Sequence, residues 1–403
     1  MGQVLPRLYE QVIRDHFQTR RQMLFLSGPR QVGKTTLARA ALAERGAGAY
    51  LSWDDVSDRR VMLAGTEAIA ERVGLDQLRE QKPLLVLDEL RKHAGWKDLL
   101  KGLFDSRGDE LDVLVTGSAR LDVFRTGGDS LVGRYLSYRV HPLSVGELAR
   151  PWVGLTRPPV ALDSEDLEAL ERFSGFPEPY LLRDERFHRQ WRRLRSQQLL
   201  REDLRDLTRI HEVSLVETLV ELLRHRAGQL TTAASLARDL RVSQDTVRRW
   251  LDALSGLYVA FRIRPWSRNV RRALKKEPKV FLWDWSLVED PGARWENLVA
   301  CHLLKAVHLW SDHGLGDFGL HFVRDKQQRE VDFLVSRDGE PWVLVEVKRS
   351  DTRLAPSLRY FQEETGAPIA VQCVRGLGFV GRDGLVAGPP MVVSGLTVLG
   401  GVV

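Results

Sequence analysis

An apolar strand that runs directly into a glycine-rich loop is the feature that most constrains the fold of this chain. Residues 23–27 read Met-Leu-Phe-Leu-Ser, residues 28–36 read Gly-Pro-Arg-Gln-Val-Gly-Lys-Thr-Thr, and a helical pattern follows over 36–44. Glycines at both ends of the loop let backbone N–H groups turn inward on a phosphate, and the positive end of the helix faces the same anion. The segment therefore predicts a phosphate-binding loop.

Each residue of this loop has an expected role in binding ATP. The Lys34 ammonium would reach the β- and γ-phosphates, and the Thr35 hydroxyl would coordinate Mg²⁺. A chance glycine loop is the alternative, and only a second matching element argues against it. The residues expected to contact the nucleotide are Gly28, Pro29, Arg30, Gln31, Val32, Gly33, Lys34, Thr35 and Thr36.

The second element is an apolar strand over residues 84–87 that ends in two carboxylates, Asp88 and Glu89. A buried strand with this ending is typical of a Walker B motif. Asp88 is expected to hold the Mg²⁺ ion, and Glu89 to polarise the attacking water. The two elements together predict hydrolysis of ATP, with ATP and Mg²⁺ as cofactors.

Composition indicates a multi-domain chain of the cytoplasm. At 403 residues and 43% hydrophobic content, the chain can bury two or three cores. Cys301 and Cys373 are too far apart in sequence to suggest a metal motif or a disulfide framework. The first 20 residues lack the apolar core of a signal peptide, and no apolar run reaches membrane-spanning length. The net charge of +6 permits a polyanionic partner.

The remainder of the first domain supplies two further candidate groups. Strand and helix patterns alternate, which predicts a mainly parallel sheet. A strand over 111–118 ends in hydroxyls, and Thr116 or Ser118 is placed to sense the γ-phosphate; the alternative is a cap for a helix beginning near Leu121. Arg134, just before a strand over 138–140, is a candidate arginine finger, with an ordinary surface arginine as the alternative. Arg30 and Arg120 are weaker candidates for the same role.

Several motifs taken together resemble one family. They read Gly-Pro-Arg-Gln-Val-Gly-Lys-Thr-Thr at 28–36, Leu-Val-Leu-Asp-Glu at 85–89, Thr-Gly-Ser-Ala-Arg at 116–120, Gly-Arg-Tyr at 133–135 and His-Pro-Leu-Ser-Val-Gly-Glu at 141–147. This set is similar to the widespread prokaryotic AAA+ ATPases that carry a C-terminal domain of formerly unknown function. The resemblance implies a homo-oligomer, with a hexameric ring as one form. Residues 90–93, Leu-Arg-Lys-His, depart from the Ile-Gln that is more usual in relatives.

The middle of the chain predicts a helical lid followed by a winged helix-turn-helix. A long charged helix is expected over 186–208, and helices over 215–225, 234–240 and 244–254 have helix-turn-helix spacing. Strands over 258–264 and 279–283 would flank a basic wing. Such units bind DNA through phosphates, or else bind proteins. The candidate DNA contacts are Arg248, Arg249, Arg268, Arg271, Arg272, Lys275 and Lys276, and Lys279 belongs to the same basic run.

The C-terminal region has the residue pattern of a PD-(D/E)XK nuclease. Asp332 and Glu346-x-Lys348 lie on successive predicted strands, and Glu296 lies on an upstream helix. The three carboxylates would converge on Mg²⁺, and Lys348 would activate water. A half-buried sheet with alternating charges, and no cleavage, is the alternative interpretation.

These inferences combine into one expected α/β architecture. A P-loop AAA+ core with a parallel sheet spans 1–145, a helical lid and linker 146–210, a winged helix-turn-helix 211–290, and a PD-(D/E)XK-like domain 291–403. The favoured function is an oligomeric, Mg²⁺-dependent AAA+ ATPase that binds and remodels DNA, with branched or junction DNA as a substrate. The alternatives are an ATP-regulated, metal-dependent nuclease and a signalling ATPase that binds only proteins.

Overall fold

A computed structural model describes residues 5–77, 79–118, 131–204, 210, 212–267 and 276–403. The chain divides into two compact units, Met1–His141 and Pro142–Val403. The first unit ends at His141, whereas the sequence predicts a boundary at residue 145. Among the described helices, none combines the length and apolarity that a membrane span requires.

The first unit is built on five parallel strands in the order β2-β3-β4-β1-β5. Strands β1, β3 and β4 are buried along their whole length, as is usual for parallel strands that are covered on both faces. The elements are α1 Leu8–Thr19, β1 Met23–Ser27, α2 Lys34–Arg45, β2 Gly48–Ser52, α3 Val56–Ala64, α4 Thr66–Val73, β3 Leu84–Asp88, α5 Trp96–Arg107, β4 Asp112–Gly117 and β5 Tyr135–Arg139.

The register of these strands aligns the ends that carry polar side chains. Asp88 at the end of β3 pairs with Thr116 of β4, and Ser27 at the end of β1 pairs with Gly117. Because all five strands run in one direction, their carboxyl ends share one edge of the sheet. This is the edge at which open α/β sheets bind ligands.

The second unit combines helices with a mixed sheet. The helix predicted over 186–208 is instead an α-helix that ends at Gln197 and continues as a π-helix over Gln198–Asp203. The elements are α6 Val145–Ala149, α7 Ser164–Phe173, α8 Pro177–Leu182, α9 Glu185–Gln197, α10 Val213–His225, α11 Ala233–Leu240, α12 Gln244–Gly256, β6 Ala260–Pro265, β7 Lys279–Leu282, α13 Pro291–Asp312, β8 Phe318–Arg324, β9 Glu330–Arg337, β10 Glu340–Lys348, α14 Pro356–Thr365, β11 Ile369–Val374, β12 Met391–Ser394 and α15 Gly395–Gly400.

One seven-stranded sheet crosses the boundary that the sequence predicts at residue 291. Its order is β12-β11-β10-β9-β8-β6-β7. Strand β6 pairs antiparallel with β7 and parallel with β8, through Arg264 opposite His321 and Pro265 opposite Phe322. The predicted wing strands are therefore the edge of the C-terminal sheet.

Two buried polar contacts join helix α13 to helix α6. The ammonium of Lys305 lies 2.5 Å from a carboxylate oxygen of Glu147, and both side chains are fully buried. The ring of His302 accepts a hydrogen bond from the Val145 N–H at 3.0 Å and donates one to the Leu298 carbonyl at 2.8 Å. One ring nitrogen must accept while the other donates, so His302 is held neutral. Burial lowers the pKa of His302 to about 3.

The first prediction concerns the pH dependence of stability. Unfolded His302 takes up a proton near pH 6.5, whereas the folded group resists protonation until about pH 3. The contribution of His302 to the free energy of unfolding is therefore lost as pH falls through this window, by about 2 kcal/mol between pH 7 and pH 5. Denaturant unfolding of the wild type and His302→Gln at the two pH values should show a stability difference that shrinks by that amount. His225→Gln, at an exposed histidine, is the control; a difference that stays constant with pH would contradict the assignment.

Candidate active site

The loop between β1 and α2 is held tightly by the strand beside it. A Cβ atom on Gly28 would lie 2.3 Å from the carbonyl oxygen of Val140, so only glycine fits there. Gln31 and Gly33 have positive φ angles of 63° and 98°, which turn the chain sharply into the first residue of α2. The glycine spacing seen in the sequence therefore has a structural cause.

Lys34 is the first residue of α2 and is buried under this loop. Its ammonium donates hydrogen bonds to the carbonyls of Gly28 at 2.9 Å and Pro29 at 2.7 Å. Burial lowers the pKa of Lys34 to about 8, although the carboxylates of Glu89 and Asp88 favour its charged form. An ammonium at the amino end of a helix, behind a tightly turned loop, is a donor set that fits a phosphate group.

Asp88 accepts hydrogen bonds from hydroxyl groups on three different elements. Thr35 at the start of α2 donates to Oδ2 at 3.0 Å. Tyr50 of β2 donates to the same oxygen, and Thr116 of β4, which is fully buried, donates to Oδ1. Thr35 and Asp88 thus meet as the predicted Mg²⁺ pair requires, and their oxygen atoms are ligands that Mg²⁺ prefers. The tyrosine was not predicted, because nothing in the sequence links Tyr50 to the end of β3.

Glu89 follows Asp88 in an unusual backbone conformation. Its φ of 53° is in the left-handed region, and its N–H donates to the Thr116 carbonyl at 3.1 Å. Residues held in this region cost roughly 1–3 kcal/mol and cluster at functional sites. The Ser118 hydroxyl donates to Oε2 of Glu89 at 3.3 Å, so Ser118 lies beside the carboxylate that is predicted to activate water. The helix that Ser118 would alternatively cap lies outside the described residues.

The candidate arginines occupy different places. The Arg134 guanidinium pairs with both carboxylate oxygens of Asp105, at 2.7 and 2.9 Å, and the Arg134 carbonyl accepts from the Met23 N–H at the start of β1. Arg134 therefore lies at the opposite end of β1 from the loop over residues 28–33. A Cβ atom on Gly117 would lie 2.6 Å from Nε of Arg91, which places Arg91, a residue not singled out in the sequence, against the end of β4. Arg120 lies outside the described residues.

Helices α11 and α12 meet through a three-residue turn. The Ser243 side chain accepts a hydrogen bond from the Thr246 N–H and begins α12 as predicted. Arg248 and Arg249 are exposed, and Arg248 pairs with Asp245 at 2.7 Å. Lys276 is also exposed. The other candidate DNA contacts, Arg268, Arg271, Arg272 and Lys275, lie outside the described residues.

Lys279 is not part of an exposed basic surface. It begins β7, and its side chain is 4% exposed. Its ammonium lies 3.2 Å from Glu296 on α13, and 2.7 and 3.5 Å from Glu330 and Asp332 on β9. Burial opposes the charge, but these three carboxylates raise the pKa of Lys279 above its ordinary value. The assignment of Lys279 to the basic run of the wing was therefore wrong, because strand pairing turns this residue toward the C-terminal sheet.

The predicted metal-binding carboxylates of the C-terminal region have protein partners instead. Asp332 Oδ2 accepts from the Val347 N–H at 2.8 Å, and Glu346 pairs with Lys348 at 2.6 Å. Burial and the nearby Asp332 carboxylate raise the pKa of both Glu296 and Glu346. In the part of the chain that the structure describes, no group of three His, Cys, Asp or Glu side chains is arranged to hold a metal ion. The ammonium of Lys279 lies 3.2 Å from Glu296 and 3.5 Å from Asp332, two of the three carboxylates that the sequence predicts to bind Mg²⁺.

Comparison with protein families bears on each part of the chain. Residues 20–149 match the family model described as "AAA domain". Together with the parallel sheet and the phosphate loop, this match confirms the predicted P-loop core of AAA+ type. Residues 164–290 and 291–383 match two models described only as domains of unknown function, DUF8612 and DUF4143.

Several individual proteins are similar to this chain at low sequence identity. Uncharacterised proteins of Mycobacterium tuberculosis and Mycobacterium bovis are each 27% identical over 348 residues, which is 83% of this chain and 71% of theirs. Among solved structures, Aeropyrum pernix ORC1 in complex with DNA has 17% identity and a TM-score of 0.34, with 74% of this chain and 94% of that chain covered. AMPPCP-bound DnaA from Aquifex aeolicus has 16% identity and a TM-score of 0.32, with coverage of 61% and 86%. TM-scores this low carry no argument about this chain.

The second prediction tests the hydroxyl groups around Asp88. Thr116→Val keeps the shape of the side chain but leaves one oxygen of the buried Asp88 carboxylate without its donor. The substitution should lower the free energy of unfolding by about 1–3 kcal/mol, as measured by denaturant titration. Thr19→Val is the control, because the Thr19 hydroxyl is exposed and bonds only to a carbonyl of α1. Equal effects of the two substitutions would contradict this account of Asp88.

Proposed function

We propose that this protein is a Mg²⁺-dependent ATPase of the AAA+ type that works as an oligomer and binds and remodels DNA, with branched or junction DNA as its substrate. The observation that carries the ATPase proposal is the meeting of Thr35 and Asp88, 3.0 Å apart, beside Glu89. These groups come from two chain segments, the start of α2 and the end of β3, with Thr35 and Asp88 53 residues apart in sequence.

The residues of the candidate site would have separate roles in ATP hydrolysis. Lys34 and the N–H groups at the start of α2 would bind the phosphates, and Thr35 and Asp88 would hold Mg²⁺. Bound Mg²⁺ supplies charge neutralisation at the phosphate oxygens. The Glu89 carboxylate would orient water and accept its proton, and Ser118, which donates to Oε2 of Glu89 at 3.3 Å, would hold that carboxylate in place.

The DNA-binding part of the proposal rests on the arrangement of residues 213–282. Helices α10, α11 and α12 precede the antiparallel pair β6 and β7, and Leu230 forms an antiparallel bridge with Lys279. Three helices followed by such a hairpin fit a winged helix-turn-helix. The outer face of α12 presents Arg248 and Arg249, and residues 268–276 between the two strands carry five basic side chains. Cations in these positions suit contact with DNA phosphates.

The nuclease alternative is not favoured, because Lys279 lies among the carboxylates that would have to bind a metal ion. The protein-only signalling alternative makes a different prediction about salt. Binding to DNA phosphates weakens steeply as salt rises, whereas a chain that binds only proteins shows no such DNA binding.

The third prediction is DNA-dependent ATP turnover. Turnover should be measured with Mg²⁺ alone and with single-stranded, duplex, forked and four-way-junction DNA. We expect the forked or junction DNA to stimulate turnover most, and Lys34→Ala and Glu89→Gln to abolish it. Glu89→Gln should still bind ATP, since the loop remains intact. Turnover and binding that no DNA changes would reject the DNA proposal and leave the ATPase proposal standing.

Substitution of the exposed arginines of α12 tests where DNA binds. The double variant Arg248→Ala, Arg249→Ala should weaken binding to every DNA and reduce the slope of log affinity against log salt by about one for each arginine. Arg353→Ala is the matched control, since Arg353 is 92% exposed on a loop of the C-terminal region. An unchanged slope in the double variant would place the DNA-binding surface elsewhere.

The fourth prediction concerns assembly. If Arg134 reaches the nucleotide of a neighbouring subunit, Arg134→Ala should bind ATP normally but lose turnover by about 10³-fold. Mixing inactive Arg134→Ala with inactive Glu89→Gln should then restore part of the activity, because each variant supplies the group that the other lacks. Arg107→Ala removes an arginine of α5 that, like Arg134, pairs with surface carboxylates, and this variant should remain active. A mixture without activity, or an active Arg134→Ala, would reject the finger.

A further inference from the structure

The charge cluster at the base of the β6–β7 hairpin is built around the ammonium of Lys279. Glu296 approaches it from α13 at 3.2 Å, and Glu330 and Asp332 approach from one face of β9 at 2.7 and 3.5 Å. The distances to Glu296 and Glu330 are those of N–H···O hydrogen bonds, and the lysine side chain is nearly fully buried. The cluster joins β7, α13 and β9.

Glu330 and Asp332 each have a second partner within the protein. Glu330 also pairs with Arg324 at 2.8 Å, and Asp332 accepts from the backbone of Val347. Gly228 closes over Glu296, because a Cβ atom at Gly228 would lie 3.0 Å from both carboxylate oxygens. Mg²⁺ would require oxygen atoms at about 2.0–2.1 Å in octahedral geometry, with several water ligands. The Lys279 ammonium lies within 3.5 Å of Glu296 and Asp332, two of the three carboxylates predicted to bind the ion.

The charges of the wider cluster are also nearly balanced without a metal ion. Four carboxylates, of Glu296, Glu330, Asp332 and Glu346, are accompanied by three cationic side chains, of Lys279, Arg324 and Lys348. A divalent ion normally compensates such a group of buried carboxylates. Here the compensation comes from side chains that belong to the chain itself.

We propose that Lys279 takes the place of the divalent cation, so that the C-terminal fold does not bind a metal ion at this site and does not cleave nucleic acid. The ammonium instead joins β7 to α13 and β9. This inference is independent of ATP turnover and survives if the ATPase proposal fails.

The fifth prediction is that removing the lysine creates a metal site. Mn²⁺ binding should be measured by electron paramagnetic resonance on the full chain without nucleotide, with Thr35→Ala in every protein to weaken the P-loop site. The parent should bind no Mn²⁺ in the C-terminal region, and Lys279→Ala should gain one site that binds at least about 10-fold more tightly than any site of the parent. Adding Asp332→Asn should abolish the gain.

The matched control is Lys276→Ala, which removes the same charge from an exposed position three residues earlier. Equal Mn²⁺ binding by the Lys279→Ala and Lys276→Ala proteins would overturn the inference. Lys279→Met, which keeps the aliphatic stem, serves if the alanine variant does not fold. If neither variant folds, the test is made on the parent protein. Mn²⁺ binding or Mn²⁺-dependent DNA cleavage by the parent that Asp332→Asn removes would overturn the inference. The lack of both would support it.

Discussion

The parallel pairing of β3 with β4 is the constraint on which the candidate site depends. It sets Asp88 opposite Thr116, whose buried hydroxyl donates to the Asp88 carboxylate. It also brings together Glu89 and Ser118, the residues that follow the two strands. A shift of this register by one residue would turn these side chains to the opposite face of the sheet. The geometry of the candidate site thus depends on strand pairing, and the loop that follows β1 begins at the same edge of the sheet.

Strand pairing also determines where side chains lie in the second unit. Because β6 pairs with both β7 and β8, the hairpin that looks like a wing in the sequence becomes the edge of a larger sheet. Lys279 is thereby carried from a run of basic residues into a group of carboxylates. The pairing places this residue of the basic run within a buried group of ion pairs.

The two buried ionic contacts of the second unit differ in what they hold together. Lys305 and Glu147 join α13 to α6, the last helix within residues matched by the AAA family model. Lys279 joins the same α13 helix to β7 and β9 through Glu296. Breaking a buried pair by removing one partner costs roughly 3–5 kcal/mol, so both contacts constrain strongly how α13 is placed. Helix α13 therefore connects the segment that follows the AAA sheet with the base of the hairpin.

The sequence by itself determined the phosphate loop, the acidic end of β3 and the helix-turn-helix spacing, because each depends on residues close together in the chain. Gly33, Lys34 and Ser243 owe their roles to local turns and helix starts, which short-range chemistry dictates. Only the tertiary structure decided that Tyr50 reaches Asp88, that Arg91 lies against Gly117, and that Lys279 sits among Glu296, Glu330 and Asp332. These contacts join residues brought together by pairing between distant strands, and no spacing along the chain records which strands will become neighbours.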